Sequence, residues 1–299
     1  MKQIRIGSRA SKLAQIQARS IQEALEKWTD SPVEIVLIST QGDRDTKRRV
    51  EELKGEGVFV REVEQALLDG AIDLAVHSLK DMPSRVDERL CFVNPPQAAA
   101  VEDVFVGDPS IQCIEDIRGK RIGTGSARRT ALLKAHCPEV EVVPIRGNIE
   151  TRMSKIETEN LDGIILARAG LERANYAERI GFILDPELFI PSPCQGILGL
   201  EIRRNDLELQ ELLEKMANPK TSQRMAIERS FQEALSATCT SPIGIYTKFL
   251  SEGKIALTAC YAKDKDGELA RAEKLTTPKE AIQAARELAA ELKAALEVR

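Results

Sequence analysis

Arginines recur where predicted strands pass into predicted helices, and they are the first candidates for chemistry in this sequence. The set consists of Arg9, Arg128, Arg129, Arg146, Arg152 and Arg173. Ligands of doubly wound sheets bind beyond the carboxyl ends of the strands, and guanidinium groups bind carboxylates and phosphates through paired hydrogen bonds. The pattern therefore predicts a ligand with several negative groups. Several carboxylates are favoured over a nucleotide phosphate, because neither G-x-x-x-x-G-K-[ST] nor G-x-G-x-x-G occurs.

Two turns rich in glycine and serine lead into predicted helices, "IGSRASKLA" at 6–14 and "IGTGSARR" at 122–129. The first turn of a helix offers unpaired N–H groups and the positive end of the helix dipole, so it attracts anions. The simpler interpretation is ordinary capping by Ser11 and Ser126 beside solvated arginines. The occurrence of two such turns in matching positions favours anion binding.

The segment "HSLKDMPS" (77–84) places His77, Ser78, Lys80 and Asp81 together at the end of a predicted buried strand. A carboxylate beside a lysine at this place can act as an acid or base, or can stabilise a cation. The alternative is a solvated Lys–Asp loop turned by Pro83, with His77 simply packed in the core.

Cys239 lies in "SATCTSPIG", among small polar residues that predict an exposed loop between a helix and a strand. It could be a nucleophile or a covalent tether, or a surface cysteine of no consequence. A papain-like role is not favoured, because the local sequence supplies no histidine partner. The chain has six cysteines without a C-x-x-C pair and only two histidines, so no zinc site is predicted.

Composition limits the remaining classes of function. The 299 residues are 42% hydrophobic, 30% charged and 4% aromatic, with a net charge of −4. The acidic balance and the scarcity of aromatic residues do not favour nucleic-acid binding. No stretch has the length of a signal peptide core or a membrane span, so a cytoplasmic protein with reduced cysteines is predicted.

Predicted strands and helices alternate over most of the chain, which is typical of an α/β fold. The segments "RIGSRASKLA" (5–14) and "RIGTGSARRTALL" (121–133) both run from a strand through a Gly/Ser turn into a helix, and this echo predicts two similar doubly wound domains. The segment 189–203 is predicted to return from one domain to the other. The last part predicts a small α+β domain with a three-stranded antiparallel sheet and a final helix over 279–298, whose buried face includes Ile282.

The motifs together resemble the porphobilinogen deaminase (hydroxymethylbilane synthase) family over nearly the whole chain. "IGSRASKLA", "AVHSLKDMP", "IGTGSARR", "IRGNIETR", "ARAGLER", "QGILGLEIR" and "CTSPIG" occur in the order typical of that family. Each motif is weak alone, but the ordered set is highly specific.

The resemblance implies three domains: 1–98 with 196–217, then 99–195, then 218–299. The first two would resemble type II periplasmic binding proteins, and the third would carry a dipyrromethane cofactor on a cysteine. The implied activity is the head-to-tail condensation of four porphobilinogen molecules onto that cofactor, with loss of ammonia, to give hydroxymethylbilane for haem and other tetrapyrroles. The family resemblance also favours a monomer, whereas the composition and motifs described above predict that no metal, membrane or nucleic acid is involved.

Carried onto this sequence, the resemblance assigns cofactor attachment through a thioether to Cys239 and the catalytic carboxylate to Asp81. The residues implied to bind the cofactor or substrate are Arg9, Ser11, Ser78, Lys80, Thr124, Ser126, Arg128, Arg129, Arg146, Gly147, Asn148, Arg152, Arg173 and Gln195. Cys239 would be exposed because it must reach into the cleft between domains.

The chain departs from the family pattern at a few positions. Glu56 stands in place of a lysine, Ala237-Thr238 in place of a glycine pair, and Cys194 in place of a small residue. These departures keep a catalytically altered relative open as an alternative. A small-molecule binding protein on the same fold is the other alternative, because a fold alone does not define a function.

Overall fold

The computed structural model describes residues 3–39, 60–238 and 241–297. The chain divides into two compact units, the first formed by 1–99 with 196–223 and the second by 100–195 with 224–299. The first unit thus contains the residues predicted for domain 1. The second unit combines most of the residues predicted for domains 2 and 3, whereas 99 and 218–223 fall in the first unit, and the separation of domains 2 and 3 stays a prediction.

The first unit is built on a five-stranded mixed sheet. Its strands are β1 (Ile4–Arg9), β2 (Val33–Ile38), β3 (Leu74–Ser78), β4 (Leu90–Phe92) and β10 (Leu198–Arg203), in the order β2-β1-β3-β10-β4. Strand β1 is parallel to β2 and β3, whereas β10 is antiparallel to β3 and β4.

Helices cover both faces of this sheet. Helix α1 (Lys12–Leu25) buries Ala18, Ile21 and Leu25, whose spacing of three and four residues gives one apolar face. Helix α2 (Arg61–Leu68) packs on the opposite face of the sheet through Val63 and Leu67. Helix α6 (Leu207–Glu214) joins α1 in the same core.

The second unit repeats this topology. Its sheet contains β5 (Asp103–Gly107), β6 (Arg121–Gly123), β7 (Glu141–Val143), β8 (Gly163–Ala167) and β9 (Phe182–Ile183), in the order β7-β6-β8-β5-β9. Its helices are α3 (Ala127–His136), α4 (Ile149–Thr158) and α5 (Arg168–Arg173). In both sheets the strand before the Gly/Ser turn, β1 or β6, is parallel to both of its neighbours. The fourth strand in each order, β10 or β5, runs antiparallel to its neighbours. The prediction of two similar α/β domains is confirmed.

The end of the chain forms an antiparallel sheet of β11 (Ile243–Phe249), β12 (Ile255–Tyr261) and β13 (Ala270–Thr276). Helices α7 (Pro219–Ala234) and α8 (Ala281–Glu297) share an apolar core with it, so the predicted α+β class is confirmed. The prediction of a buried Ile282 was wrong, because the buried face of α8 runs through Ala281 and Ala285 instead.

The three-stranded sheet is fixed to the rest of the second unit at the start of β11. The N–H of Ile245 donates to the carbonyl of Pro191 at 3.0 Å. A Cβ on Gly244 would lie 2.9 Å from the carbonyl oxygen of Ile190, so this position needs glycine. The segment 189–191 is therefore held against β11.

Candidate functional site

The predicted catalytic segment lies at the carboxyl end of β3 in the first unit. Residues Leu79–Asp81 form a 3-10 turn directly after this strand. Leu79 and Met82 are buried, and they fix the backbone on both sides of Asp81, whose side chain is exposed. The N–H of Leu79 donates to the carbonyl of Ile197 at 3.1 Å, which ties the turn to the segment before β10. An exposed carboxylate on a fixed backbone can meet a ligand without large rearrangement.

Neighbouring residues at this edge of the sheet come from β1 and α1. Arg9 ends β1, which is parallel and adjacent to β3, so Arg9 and Ser78 lie at the same edge. Ser78 Oγ accepts a 2.9 Å hydrogen bond from Nε2 of Gln17, a buried residue on α1 that the sequence analysis did not single out. Ser11 caps α1 by accepting from the N–H of Ala14 at 3.4 Å.

In the second unit, Arg128 and Arg129 share a buried carboxylate that the sequence analysis did not identify. Asp103, at the start of β5, lies 2.8 Å from Nη2 of Arg128 and accepts from Nη2 of Arg129 at 2.7 Å. Both arginine side chains are about 95% buried, and Asp103 is fully buried. Burial lowers the pKa of Arg128, and the charge of Asp103 opposes that shift. This carboxylate fixes both guanidinium groups in the interior of the unit.

Gln195 completes the group around Asp103. Its Nε2 donates to Oδ1 of Asp103 at 3.0 Å and to the carbonyl of Val101 at 2.6 Å. Gln195 is buried. The structure thus brings Gln195 together with Arg128 and Arg129, and their predicted contact with a ligand stays a prediction.

The Gly/Ser turn before α3 follows β6. Ser126 caps the helix by accepting from the N–H of Arg129 at 3.4 Å, and the buried Thr124 accepts from the N–H of Ser126 at 3.3 Å. A Cβ on Gly125 would lie 2.5 Å from the carbonyl oxygen of Ile145, so only glycine allows the backbones to approach this closely. The turn is therefore packed directly against the segment after β7.

The segment after β7 contains an arginine with an unused donor. Nη1 of Arg146 is buried and has no hydrogen-bond partner within the described residues. Gly147 adopts a φ of 116°, and Asn148 caps α4 by accepting from the N–H of Thr151 at 2.8 Å. Arg152 donates through Nε to the carbonyl of Gly147 at 2.8 Å. A buried guanidinium N–H without a partner is costly, so this donor is available to an acceptor, and the predicted contact of Arg146 with a ligand stays a prediction.

Arg173 is the last of the arginines that the sequence predicts to bind a ligand. It ends α5, the short helix that follows β8, and it is half-buried. Burial lowers its pKa, and the neighbouring Glu172 opposes this shift. A partly desolvated guanidinium binds a carboxylate more strongly than a fully hydrated one.

Cys239 and Glu56 lie outside the described residues, so the predictions for them stay predictions. The residues on either side of Cys239 and Thr240 are joined by hydrogen bonds. The N–H of Ser241 donates to the carbonyl of Thr238 at 3.1 Å, and the N–H of Thr238 donates to Oγ of Ser241 at 3.0 Å. These two hydrogen bonds hold Thr238 and Ser241 together.

The donor set described above fits a ligand that carries several carboxylates. Arg146 offers a buried unused N–H, and the capped start of α4 lies two residues away. Across 3–39, 60–238 and 241–297, no group of three or more His, Cys, Asp and Glu side chains is placed to hold a metal ion. No helix in these ranges is both long and apolar enough to cross a membrane.

These features define a protein of two similar α/β sheets followed by a small α+β part, and comparison with known sequences identifies its family. Residues 4–211 match the profile described as porphobilinogen deaminase, dipyromethane cofactor binding domain, and 222–294 match the porphobilinogen deaminase C-terminal domain. The chain belongs to the porphobilinogen deaminase family.

Individual relatives agree with this assignment. The chain is 40% identical to the porphobilinogen deaminase of Staphylococcus carnosus over 260 residues, which cover 86% of this chain and 84% of the relative. It is 36% identical to the porphobilinogen deaminase of Clostridium novyi over 271 residues, which cover 89% of this chain and 90% of the relative. The predicted resemblance is confirmed.

Among solved structures, the periplasmic VFT2 domain of Bordetella pertussis BvgS aligns with a TM-score of 0.45 at 18% identity. The alignment covers 76% of this chain and 92% of that domain. Similarity at this level is not informative about function.

Proposed function

We propose that this chain is a transferase that condenses four porphobilinogen molecules head to tail and releases linear hydroxymethylbilane. The observation that carries the proposal is the match of residues 4–211 to the dipyrromethane cofactor-binding domain of the family. The two sequence alternatives, a binding protein and a catalytically altered relative, have no comparable support.

The cofactor in this proposal is a dipyrromethane attached to the thiol of Cys239 through a thioether. When bound, it supplies the pyrrole α-carbon to which the first substrate is joined. A thioether withstands thiol exchange, so the attachment is retained while product leaves. The chain's own task is to hold the carboxylates of the growing molecule and to place a catalytic group beside the reacting carbon.

Asp81 is the proposed catalytic group. Its carboxylate would accept hydrogen bonds from pyrrole N–H groups and stabilise the positive charge that develops as the C–N bond to the departing ammonia breaks. Its exposed position on a turn anchored by Leu79 and Met82 supports this role, because the carboxylate is both reachable and fixed. Lys80 and Ser78 flank it and are proposed to contact the cofactor.

The arginines are proposed to act in two groups. Arg9, Arg146, Arg152 and Arg173 would bind acetate and propionate side chains directly, because each added pyrrole brings two more carboxylates. Arg146 has the strongest support, through its buried unused N–H. Arg128 and Arg129 are held by Asp103, and they would present any remaining donor from a fixed position. Gly147, Asn148, Thr124, Ser126 and Ser11 would shape the turns that admit the ligand.

We further propose a cytoplasmic monomer that needs no metal. The described cysteines Cys91, Cys113, Cys137, Cys194 and Cys260 are free thiols, which fits a reducing compartment. Burial raises the pKa of Cys194 and Cys260, the latter to about 12, so these thiols are poor competitors for the attachment role.

Substrate consumption tests the proposed reaction. Purified holoprotein is incubated with porphobilinogen, and ammonia and linear tetrapyrrole are quantified together. The proposal predicts one ammonia released per porphobilinogen consumed and one tetrapyrrole per four porphobilinogen molecules. Reversible binding without ammonia release would show a binding protein, and enzyme-bound adducts without released tetrapyrrole would show a catalytically altered relative.

A further inference from the structure

A buried hydrogen-bonded pair joins the strand that leads to the proposed catalytic turn to its neighbour β10. Nε2 of His77 is 2.9 Å from Oε2 of Glu201. The two side chains are 7% and 0% exposed. A buried polar side chain is costly unless it is hydrogen-bonded, so each of these residues needs the other in the interior.

The sheet register brings the two residues together. His77 on β3 lies opposite Gly199 on the antiparallel strand β10, and Ala75 lies opposite Glu201. Alternate residues of a strand share a face, so His77 and Glu201 are diagonal neighbours on one face of the sheet. The pair therefore joins β3 to β10 near the carboxyl end of β3.

Packing connects this pair to the turn that carries Asp81. The ring of Phe92 meets the ring of His77 edge to face, with centroids 6.3 Å apart. A Cβ on Gly199 would lie 3.0 Å from Phe92 and 2.9 Å from Leu79, so glycine lets both side chains approach β10. Leu79 is the buried anchor of the catalytic turn. Phe92, which contacts His77, and Leu79, which anchors the turn of Asp81, therefore both pack over Gly199.

Glu64 on α2 adds a third titratable group to this face. Burial, followed by the charge of Glu201, raises the pKa of Glu64 to about 7, and the charge of His77 opposes the shift. The charges of Asp87 and Arg61 also act on Glu64, from the loop before β4 and from α2. Oε1 of Glu64 and Oε1 of Glu201 are buried and accept no hydrogen bond within the described residues.

We propose that His77 and Glu201 are positioning residues for the condensation, and that their buried pair holds the end of β3 so that Asp81 keeps its catalytic position. The proposal rests on the proposed function. Neither side chain is required to touch substrate or cofactor, because the pair acts through Phe92, Leu79 and the backbone of the turn.

A double-substitution cycle in the holoprotein tests the pair. His77→Gln replaces the imidazole by a neutral amide of different shape beside the buried carboxylate of Glu201, and we expect kcat to fall at least about tenfold, because the end of β3 is no longer held in place. Adding Glu201→Gln gives a pair of neutral amides that can hydrogen-bond across the same gap. We expect the double variant to recover to within about threefold of the parent kcat, because the two changes are coupled.

The KM for porphobilinogen distinguishes a positioning role of His77 and Glu201 from a role in substrate binding. We expect KM to change less than about twofold in every variant, because no binding group is removed. Glu211→Gln, an exposed carboxylate on α6 of the same unit, is the matched control and should leave kcat unchanged. An unchanged kcat in His77→Gln would overturn the proposed positioning role. A double variant as slow as His77→Gln alone would overturn the proposal that His77 and Glu201 act together as a pair.

A spectroscopic readout keeps this test separate from the proposed function. The chain has only two histidines, His77 and His136, so their ring signals in a ¹H–¹⁵N spectrum can be told apart by substitution. Glu201→Gln should change the ring signals of His77 and leave those of His136, which bonds the carbonyl of Leu188. Unchanged His77 signals would show that His77 and Glu201 do not form the proposed pair, whether or not the protein turns over porphobilinogen. Changed signals in a protein without turnover would overturn the proposed function alone.

Discussion

Asp103 accepts a 2.7 Å hydrogen bond from Arg129 in the interior of the second unit. The same carboxylate lies 2.8 Å from Arg128 and accepts from Gln195 at 3.0 Å. One buried negative charge thus holds two guanidinium groups that the sequence assigns to ligand binding. Asp103 is therefore central to the stability of the unit and to the placement of these arginines.

Replacement of Asp103 by asparagine should destabilise the second unit. The amide keeps the shape of the side chain but leaves two buried guanidinium groups without a counter-charge. Loss of one partner of a buried ion pair costs about 3–5 kcal/mol, so we expect the free energy of unfolding to fall by about that amount. Urea denaturation measures it.

The exposed Glu157 on α4 provides the control for Asp103. Glu157→Gln should change the free energy of unfolding by less than about 0.5 kcal/mol. A similarly small effect of Asp103→Asn would contradict the role of Asp103 as the shared counter-ion.

Arg146 should behave as a binding residue and not as a structural one. Because its Nη1 has no partner within the described chain, Arg146→Met removes no known internal bond at that atom. Loss of a charge-assisted hydrogen bond of about 1.5–3 kcal/mol predicts a rise in KM for porphobilinogen of about tenfold or more. Steady-state kinetics measure the change.

Arg118→Met is the matched control for Arg146, because Arg118 pairs with Glu139 at the surface of the same unit. Its KM should equal that of the parent protein. An equal KM in Arg146→Met would remove Arg146 from the proposed binding set.

Asp81→Asn should remove catalysis without unfolding the protein. The side chain is exposed, so the free energy of unfolding should change by less than about 0.5 kcal/mol. Loss of the carboxylate should lower kcat by about 10²–10⁴-fold. Asp30→Asn, an exposed carboxylate of the same unit, is the control, and near-normal turnover in Asp81→Asn would refute the catalytic assignment.

The raised pKa of Glu64 predicts that the stability of the protein depends on pH. Its pKa is about 7 in the folded protein and 4.5 is the ordinary value, so the folded state binds more protons between these values. Stability contributed by this group is therefore present below about pH 4.5 and lost as the pH rises towards 7. Glu64→Gln resembles the protonated form and should raise the Tm at pH 8 by about 2 °C or more, with little effect at pH 4.5.

Thermal unfolding of Glu64→Gln at several pH values gives this comparison. Glu23→Gln on the exposed face of α1 should show no such trend. A difference in Tm between Glu64→Gln and the parent protein that does not grow with pH would contradict the assigned pKa.

Local sequence features predicted the elements that depend on local physics. Helix α1 begins after the predicted cap Ser11, and α3 begins after Ser126, because side-chain caps and apolar periodicity act over a few residues. The repeated strand–turn–helix start correctly predicted two similar α/β domains.

The pairing of strands that are distant in the sequence could not be predicted from local sequence features. Strand β5 runs antiparallel to β8, and β10 runs antiparallel to β3, although alternating strands and helices had indicated parallel crossovers. Both strands follow the chain's passages between the units, and an apolar run does not encode its direction in a distant sheet. The counter-ion Asp103 and the pair of His77 with Glu201 depend on these antiparallel strands, so they could not be predicted either.

The central claim is that Cys239 carries a pyrrole primer on which Asp81 and the arginines act. Intact mass spectrometry of freshly purified protein, beside Cys239→Ser and the control Cys113→Ser, tests it most directly. We expect the parent and Cys113→Ser to exceed their sequence masses by one dipyrromethane and to gain further pyrrole units with porphobilinogen, whereas Cys239→Ser should have its sequence mass alone and gain none. A parent protein at its bare sequence mass, or a Cys239→Ser variant that still carries the addition, would refute the attachment of the primer to Cys239.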